Sequence, residues 1–219
     1  MPVSRIRLGA GALAVAGVLF LAYPATRPWH DESTLEGATR AMSSGWWVAS
    51  HLFAVIGFIL VPLGLLAVCA LAGGTRAGPL GLSAVVTSWI GAGLTLPYYG
   101  AEAFALNAIA GSLAEGRPLD LLTLVDAIRF DPVAATTFAV GLFSLAAGAV
   151  LAAVVIWRSR VLPRYSGVPM ALGFVLFIPQ FYTPPAVRIG HGVLLALGLG
   201  WLAMEMWQAT SDRVKPAGS

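Results

Sequence analysis

The chain has 219 residues, of which 58% are hydrophobic and 11% charged, and its mean hydropathy is +0.82; a soluble globular domain carries about a quarter charged residues. That shortage of charge excludes disorder, a coiled coil and a nucleic-acid binder, so the pI near 9.4 does not indicate a nucleic-acid partner. The single cysteine, Cys69, excludes a disulfide framework and a four-cysteine metal site. The remaining class is an all-α, polytopic transmembrane helix bundle, one integral membrane domain over residues 1–219 without an internal repeat.

A bilayer core about 30 Å thick takes about 20 apolar residues of helix, and six stretches meet or approach that length. The first, Leu8 to Tyr23, follows Arg5 and Arg7 and has a signal-peptide look, but no clean A-x-A site comes after it, so it reads as a retained span. The second runs from Trp46 to Leu71. The third, Leu80 to Leu113, is too long for one crossing. Pro97 interrupts it and predicts a kinked span to about Asn107 followed by an interfacial continuation, because proline removes one backbone bond and frees a carbonyl.

The polar segment 115–131 contains Asp120, Leu121, Leu122, Leu124, Val125, Ile128 and Arg129, an amphipathic run that predicts a short helix lying on the membrane surface. Asp131 and Pro132 form an N-cap and first-turn pair that opens the fourth span, Pro132 to Trp157. The fifth and sixth stretches are Ser166 to Tyr182 and Ile189 to Trp207. In the last, Gly192, Ala196 and Gly200 recur at every fourth position as a small-residue face for close helix packing.

Orientation follows the Lys and Arg residues. With a cytoplasmic N-terminus, the inner side holds Arg5, Arg7, Arg76, Arg158, Arg160, Arg164, Arg213 and Lys215 against Asp212 alone. The outer side holds Arg27, Arg40, Arg117, Arg129 and Arg188 against Asp31, Glu32, Glu36, Glu115, Asp120, Asp126 and Asp131. Both termini are therefore expected in the cytoplasm of a multi-pass cell-membrane protein. Only Glu102 and Glu205 fall inside apolar stretches.

A carboxylate in hydrocarbon costs several kcal/mol and is tolerated where it faces the bundle interior or a water-filled cavity. Burial favours its neutral form, so Glu102 is a candidate general acid. Tyr98 and Tyr99, four and three residues earlier, share its helix face just after Pro97. A bland alternative places Glu102 at the outer interface, paired with an arginine such as Arg188. His51 lies one turn inside the second span, with Trp47 and Phe58 on roughly its face, and His191 lies one turn after Arg188. Two such histidines suit an axial haem pair or, with Glu102, a metal; the alternative is an interhelical hydrogen bond from each.

Gln180, Phe181 and Tyr182 end the fifth stretch between Pro179 and Pro184. The outer ends of four spans thus bring His51, Tyr98, Tyr99, Glu102, Asn107, Gln180, Tyr182, Arg188 and His191 to one level, although polar and aromatic residues also gather at helix ends without function. Glu205, near the inner end between Trp201 and Trp207, reads as structural. No P-loop, dinucleotide fingerprint, H-E-x-x-H or G-x-S-x-G occurs. Nor does any aspartate-rich cluster for Mg²⁺ and a diphosphate, so neither metal nor cofactor is required by the residues.

The small size, the lack of soluble domains and of aspartate-rich motifs, and the intramembrane glutamate in Pro97, Tyr98, Tyr99, Gly100, Ala101, Glu102 resemble the small integral membrane terpene cyclases. These are the fungal meroterpenoid cyclases and the bacterial enzymes that cyclise farnesylated indoles or diketopiperazines. The resemblance covers the chain in general plan. It implies that a buried Glu102 protonates a prenyl alkene or epoxide of a lipophilic substrate in the bilayer. Trp47, Tyr98, Tyr99, Phe181 and Tyr182 would then stabilise the cation, and His51 or His191 would take the final proton. It also implies a second intramembrane acid, for which Glu205, near the opposite face, is no match. The residues leave two other readings open: a haem- or quinone-binding redox carrier using His51 and His191, and a non-catalytic membrane subunit whose small-residue faces dock other helices.

Overall fold

The computed structural model describes residues 3–211; Asp212, Arg213 and Lys215 of the inner charge count lie outside them. The apolar runs become helices α1 (Val3–Thr26), α3 (Gly45–Ala72), α4 (Gly78–Gly100), α7 (Pro132–Ser159) and α9 (Pro185–Ser211), with shorter α2 (Leu35–Met42), α5 (Leu106–Ala114), α6 (Leu121–Arg129) and α8 (Val168–Val175) between them. No strand occurs among the described residues. Five stretches are long and apolar enough to cross a membrane: α1, α3, the continuous Gly78–Ala114, α7 and α9. Their outward faces carry large apolar side chains, such as Phe143 at 65% and Leu197 at 67% exposure, as lipid contact requires.

Small residues set the pairing. A Cβ on Gly91 of α4 would lie 2.6 Å from the Leu145 main-chain nitrogen of α7, and one on Gly141 would lie 2.9 Å from that of Thr95, so these antiparallel backbones touch where side chains are absent. In the same way α1 lies antiparallel to α3 through Gly57 and Phe20, and to α9 through Gly17 and Ala196. Of the predicted small-residue face on α9, Gly192 packs on Phe20, Leu21 and Pro24, whereas Gly200 meets nothing within 4 Å. Arg7 near the start of α1 donates to Thr210 near the end of α9 at 3.2 Å, which puts both ends of the described chain at one end of the bundle.

The fifth stretch departs from a plain span. Ser166 to Tyr182 carries the chain between the far ends of α7 and α9, but as α8 followed by a turn and a 3₁₀ segment, Pro179–Tyr182. The helix ends before Pro179: the Phe177 N–H bonds to the Phe174 carbonyl at 3.3 Å while the Gly173 carbonyl lies 2.7 Å from His191 Nε2, and Pro179 has no N–H with which to resume it. The third stretch has no break between a span and a separate surface piece. It is one continuous helix of 37 residues, about 55 Å long at 1.5 Å per residue, with a π-helical turn at Ala101–Ala105.

The excess length of that helix projects beyond the bundle as α5. There α2, α5 and the amphipathic α6 bury Ala38, Ala41, Met42, Leu106, Ala110, Leu121 and Val125 around Trp47, a second small core that caps one end. Asp120 caps α6 by accepting from the Thr123 main chain, and Asp131 caps α7 by accepting from the Val133 and Ala134 N–H groups, with Pro132 in the first turn. The expected short amphipathic helix and the N-cap pair both form.

Candidate active site at the capped end

The π-helical turn is the local device that builds the site. In an α-helix the Glu102 carbonyl would accept from the Leu106 N–H, but that N–H is given to the Ala101 carbonyl, five residues back. The Trp47 indole N–H takes its place and donates to the Glu102 carbonyl at 2.6 Å. A single inserted residue therefore ties α3 to the third helix at the acidic residue, and such bulges are frequent at functional sites.

The Glu102 carboxyl is 8% exposed as a residue and meets Arg129, not Arg188. Arg129 Nε donates to Oε1 at 2.6 Å and Nη2 donates to Oε2 at 2.9 Å, a bidentate pair that stabilises a carboxylate. Arg129 also reaches Glu32 Oε2 at 2.9 Å, and Glu32 Oε1 accepts from Arg27 at 2.6 Å. Charges thus alternate from the loop after α1 to the interior: Arg27, Glu32, Arg129, Glu102. Burial pushes the Glu32 carboxyl up, but Arg27 and Arg129 outweigh it and hold Glu32 below the ordinary glutamate value. Burial likewise opposes the charge on Arg129, yet the hydrogen bonds and charge of Glu102, with Glu32, hold its guanidinium above the ordinary arginine value.

His51, 2% exposed, lies across from the same carboxylate. Its Nδ1 is 2.7 Å from the Trp47 carbonyl, and since a carbonyl only accepts, Nδ1 carries the proton. The neutral ring then keeps Nε2 as an acceptor, 4.0 Å from Glu102 Oε2. Around this pair stand Trp47, with ring centroids 4.6 Å from His51, Tyr23 at 5.4 Å and Tyr99 at 5.9 Å. Phe58 packs 5.2 Å from Tyr99 and 5.3 Å from Phe177.

The two tyrosines beside Glu102 have separate surroundings, and neither hydroxyl bonds to its carboxyl. Tyr98 stacks on Phe138 at 4.1 Å and its hydroxyl donates to the Arg129 carbonyl at 3.2 Å. It steadies the residue that holds Glu102. Tyr99 is buried, and its hydroxyl has no hydrogen-bond partner among the described residues.

A second group lies beside the first. His191 Nε2 donates to the Gly173 carbonyl of α8 at 2.7 Å, and Arg188 Nε donates to Gln180 Oε1 at 3.2 Å. Arg188 also stacks over Phe181 and Trp29. A cavity of about 10 Å³, room for about one water, is lined by Tyr23, Gln180, Arg188 and His191 at its polar wall and by Phe20, Pro24, Phe177 and Leu195 elsewhere. Tyr23 borders both this cavity and His51.

Several expected members fall away. Tyr182 is 87% exposed because the 3₁₀ turn before Thr183 directs it outward. Asn107 serves the backbone, its amide donating to the Met42 carbonyl at 2.7 Å. His51 and His191 each spend one ring nitrogen on a main-chain carbonyl, with Tyr23 edge-on to the first ring and Phe177 edge-on to the second. No three His, Cys, Asp or Glu side chains converge as a metal site among the described residues. Glu205 accepts from the Trp201 indole at 2.8 Å, far from this end.

Arg129, Glu32, Arg27 and Tyr23 were not singled out by the sequence. The usable signal for Arg129 was its place as the last residue of an amphipathic helix with no acidic neighbour on its own turn other than Asp126. No protein family model, curated protein or solved structure matches the chain.

Proposed function

We propose that this chain is a membrane-embedded enzyme that transfers protons to and from a lipophilic substrate, with cyclisation of a prenylated molecule as the reaction its parts suit. The capped end then faces outward and both termini lie in the cytoplasm of the cell membrane, as the distribution of Lys and Arg favours. The observation that carries the reading is the buried His51 Nε2 aimed at the Glu102 carboxylate across 4.0 Å, with aromatic rings on the remaining sides.

Each residue has a role in that reading. Trp47 fixes the histidine tautomer through its carbonyl and fixes Glu102 through its indole N–H. His51 Nε2 accepts the proton that a substrate cation loses on ring closure, and the Glu102 carboxylate compensates the imidazolium that forms. The same proton, passed across the gap to Oε2 as Arg129 gives up its bond to that oxygen and keeps Glu32, makes Glu102 the donor to the alkene or epoxide of the next substrate. The faces of Tyr99 and Phe58 stabilise the intervening carbocation, since the Trp47 ring is already covered by Arg27. The neighbouring cavity has room for about one water, so a substrate gains access only when the cap or the broken crossing at 166–182 yields.

The test is incubation of membranes containing the full chain with a farnesylated indole, beside His51→Gln and Glu102→Gln variants. Cyclised product that disappears in both variants supports the reading; product that persists in both overturns these roles.

One observation favours a non-catalytic membrane subunit instead. Arg129 binds Glu102 and Glu32 together, which would suit a latch fastening α6 to the bundle. In that case no substrate turns over, and Glu102→Gln lowers the melting temperature alone.

A further inference from the structure

Three guanidinium groups stand at the capped end around Trp29 and Trp47. Arg27 lies 4.6 Å from each indole, Arg129 lies 5.9 Å from Trp47, and Arg188 lies 4.9 Å from Trp29. Two carboxylates answer them, and both are taken: Glu32 by Arg27 and Arg129, Glu102 by Arg129. Arg188 has no carboxylate within 4 Å among the described residues, and its polar contact is with the neutral amide of Gln180. A half-buried guanidinium stacked on Trp29 and Phe181 is fixed in place yet leaves its charge uncompensated.

That charge borders the small cavity lined by Tyr23, Gln180 and His191 on one wall and by Phe20, Phe177 and Leu195 on the other. The polar wall offers guanidinium donors beside a 6%-exposed Gln180, and the apolar wall continues into the aromatic interior. Such a site takes a molecule with a small anionic head and a hydrocarbon body. The cavity of about 10 Å³ has room for about one water, so the head enters as the broken crossing at 166–182 yields, and a carboxylate asks for less displacement than a bulkier phosphate.

We infer that Arg188 is a substrate-recognition residue and that the ligand of this site is a lipophile bearing a carboxylate. The head would pair with the free donors of Arg188 while the chain runs past Tyr23 toward His51. This rests on the catalytic reading for the destination of the chain, but not for the binding itself.

The test uses the full chain in nanodiscs of a neutral lipid at alkaline pH, with oleate, oleyl alcohol and oleylamine as probes. Wild type is expected to bind oleate about tenfold or more tighter than the alcohol, as one charge-assisted hydrogen bond confers, with the amine weakest. Arg188→Gln should erase the preference for oleate, and Arg188→Lys should keep most of it. Equal binding of the three probes to wild type overturns the inference without any variant, as does a preference for oleate that survives Arg188→Gln in a protein that melts like wild type.

Failure of the catalytic reading is separable. If the ranking holds in wild type and in His51→Gln but no carboxylate lipophile or farnesylated indole is turned over, the recognition site stands and the enzyme reading falls. If a neutral prenylated substrate is cyclised while the probes bind equally, the reverse holds.

Discussion

The Trp47 indole nitrogen lies 2.6 Å from the main-chain oxygen of Glu102, 55 residues away in the chain. The bond exists because the π-helical turn has withdrawn the ordinary donor of that carbonyl, so one buried N–H serves as a stand-in for a helical hydrogen bond. Trp47→Phe keeps the ring and removes the donor, and a buried acceptor left alone costs about 1–3 kcal/mol. Chemical unfolding in detergent should report that loss, while Trp46→Phe, at an exposed position, should change little.

Arg129 and Glu102 form a pair with side chains 19% and 10% exposed. Arg129→Gln strands a carboxylate in the interior and is expected to destabilise by roughly 3 kcal/mol; replacing both members, Arg129→Met with Glu102→Met, should cost less than Arg129→Gln alone. Unfolding curves of the single and double variants check this, and a double variant as unstable as the sum of its parts would contradict the pairing.

The Glu32 carboxyl is held below its ordinary value of 4.5. Its contribution to stability is complete above that ordinary value and is lost as the pH falls through the lowered one. Tryptophan fluorescence from Trp29 and Trp47 should therefore report loosening of the cap only in acid, below about pH 4.5. Arg27→Gln should move that transition to higher pH, since Arg27 is the larger of the two charges holding Glu32 down.

Gly91 and Gly93 sit two positions apart on α4, on nearly opposite faces. A methyl group on Gly91 would lie 2.6 Å from the Leu145 nitrogen and 2.7 Å from the Gly141 oxygen, whereas one on Gly93 meets nothing within 4 Å. Gly91→Ala should cost about 1–3 kcal/mol by forcing α4 from α7, and Gly93→Ala should be neutral or slightly stabilising. Thermal melts of the two variants make the comparison.

The spans were legible because lipid selects for length and hydropathy, and both are linear properties of the chain. Asp131 was legible as a cap for the same reason, since a cap acts within four residues, whereas Asp120 was read only as part of the amphipathic run that it caps. The break after Val175 was missed because Ser166–Tyr182 has the composition of a span, and it depends on the Gly173 carbonyl meeting His191 from another helix as well as on the N–H that Pro179 lacks. The level of His51, Glu102, Gln180, Arg188 and His191 followed from counting turns from the helix ends. Their partners did not, because rotation about the helix axis and the extra residue at Ala101–Ala105 set which face each side chain takes. Glu102 needed a cation, and Arg188 was as near in level as Arg129; the fold of the α6 cap, not any pattern near Glu102, chose between them.

Glu102 and Arg129 are separated by 27 positions, and that distance has a consequence during synthesis. At roughly 5–20 residues per second, the acidic residue is made about 1–5 s before its guanidinium. For that interval the third helix must enter the bilayer with its acid uncompensated, and α1 and α3 are the bundle helices already made to receive it. The Trp47 indole on α3 is then the first polar group available to the bulge, and the ion pair closes a junction that the ribosome has already left behind.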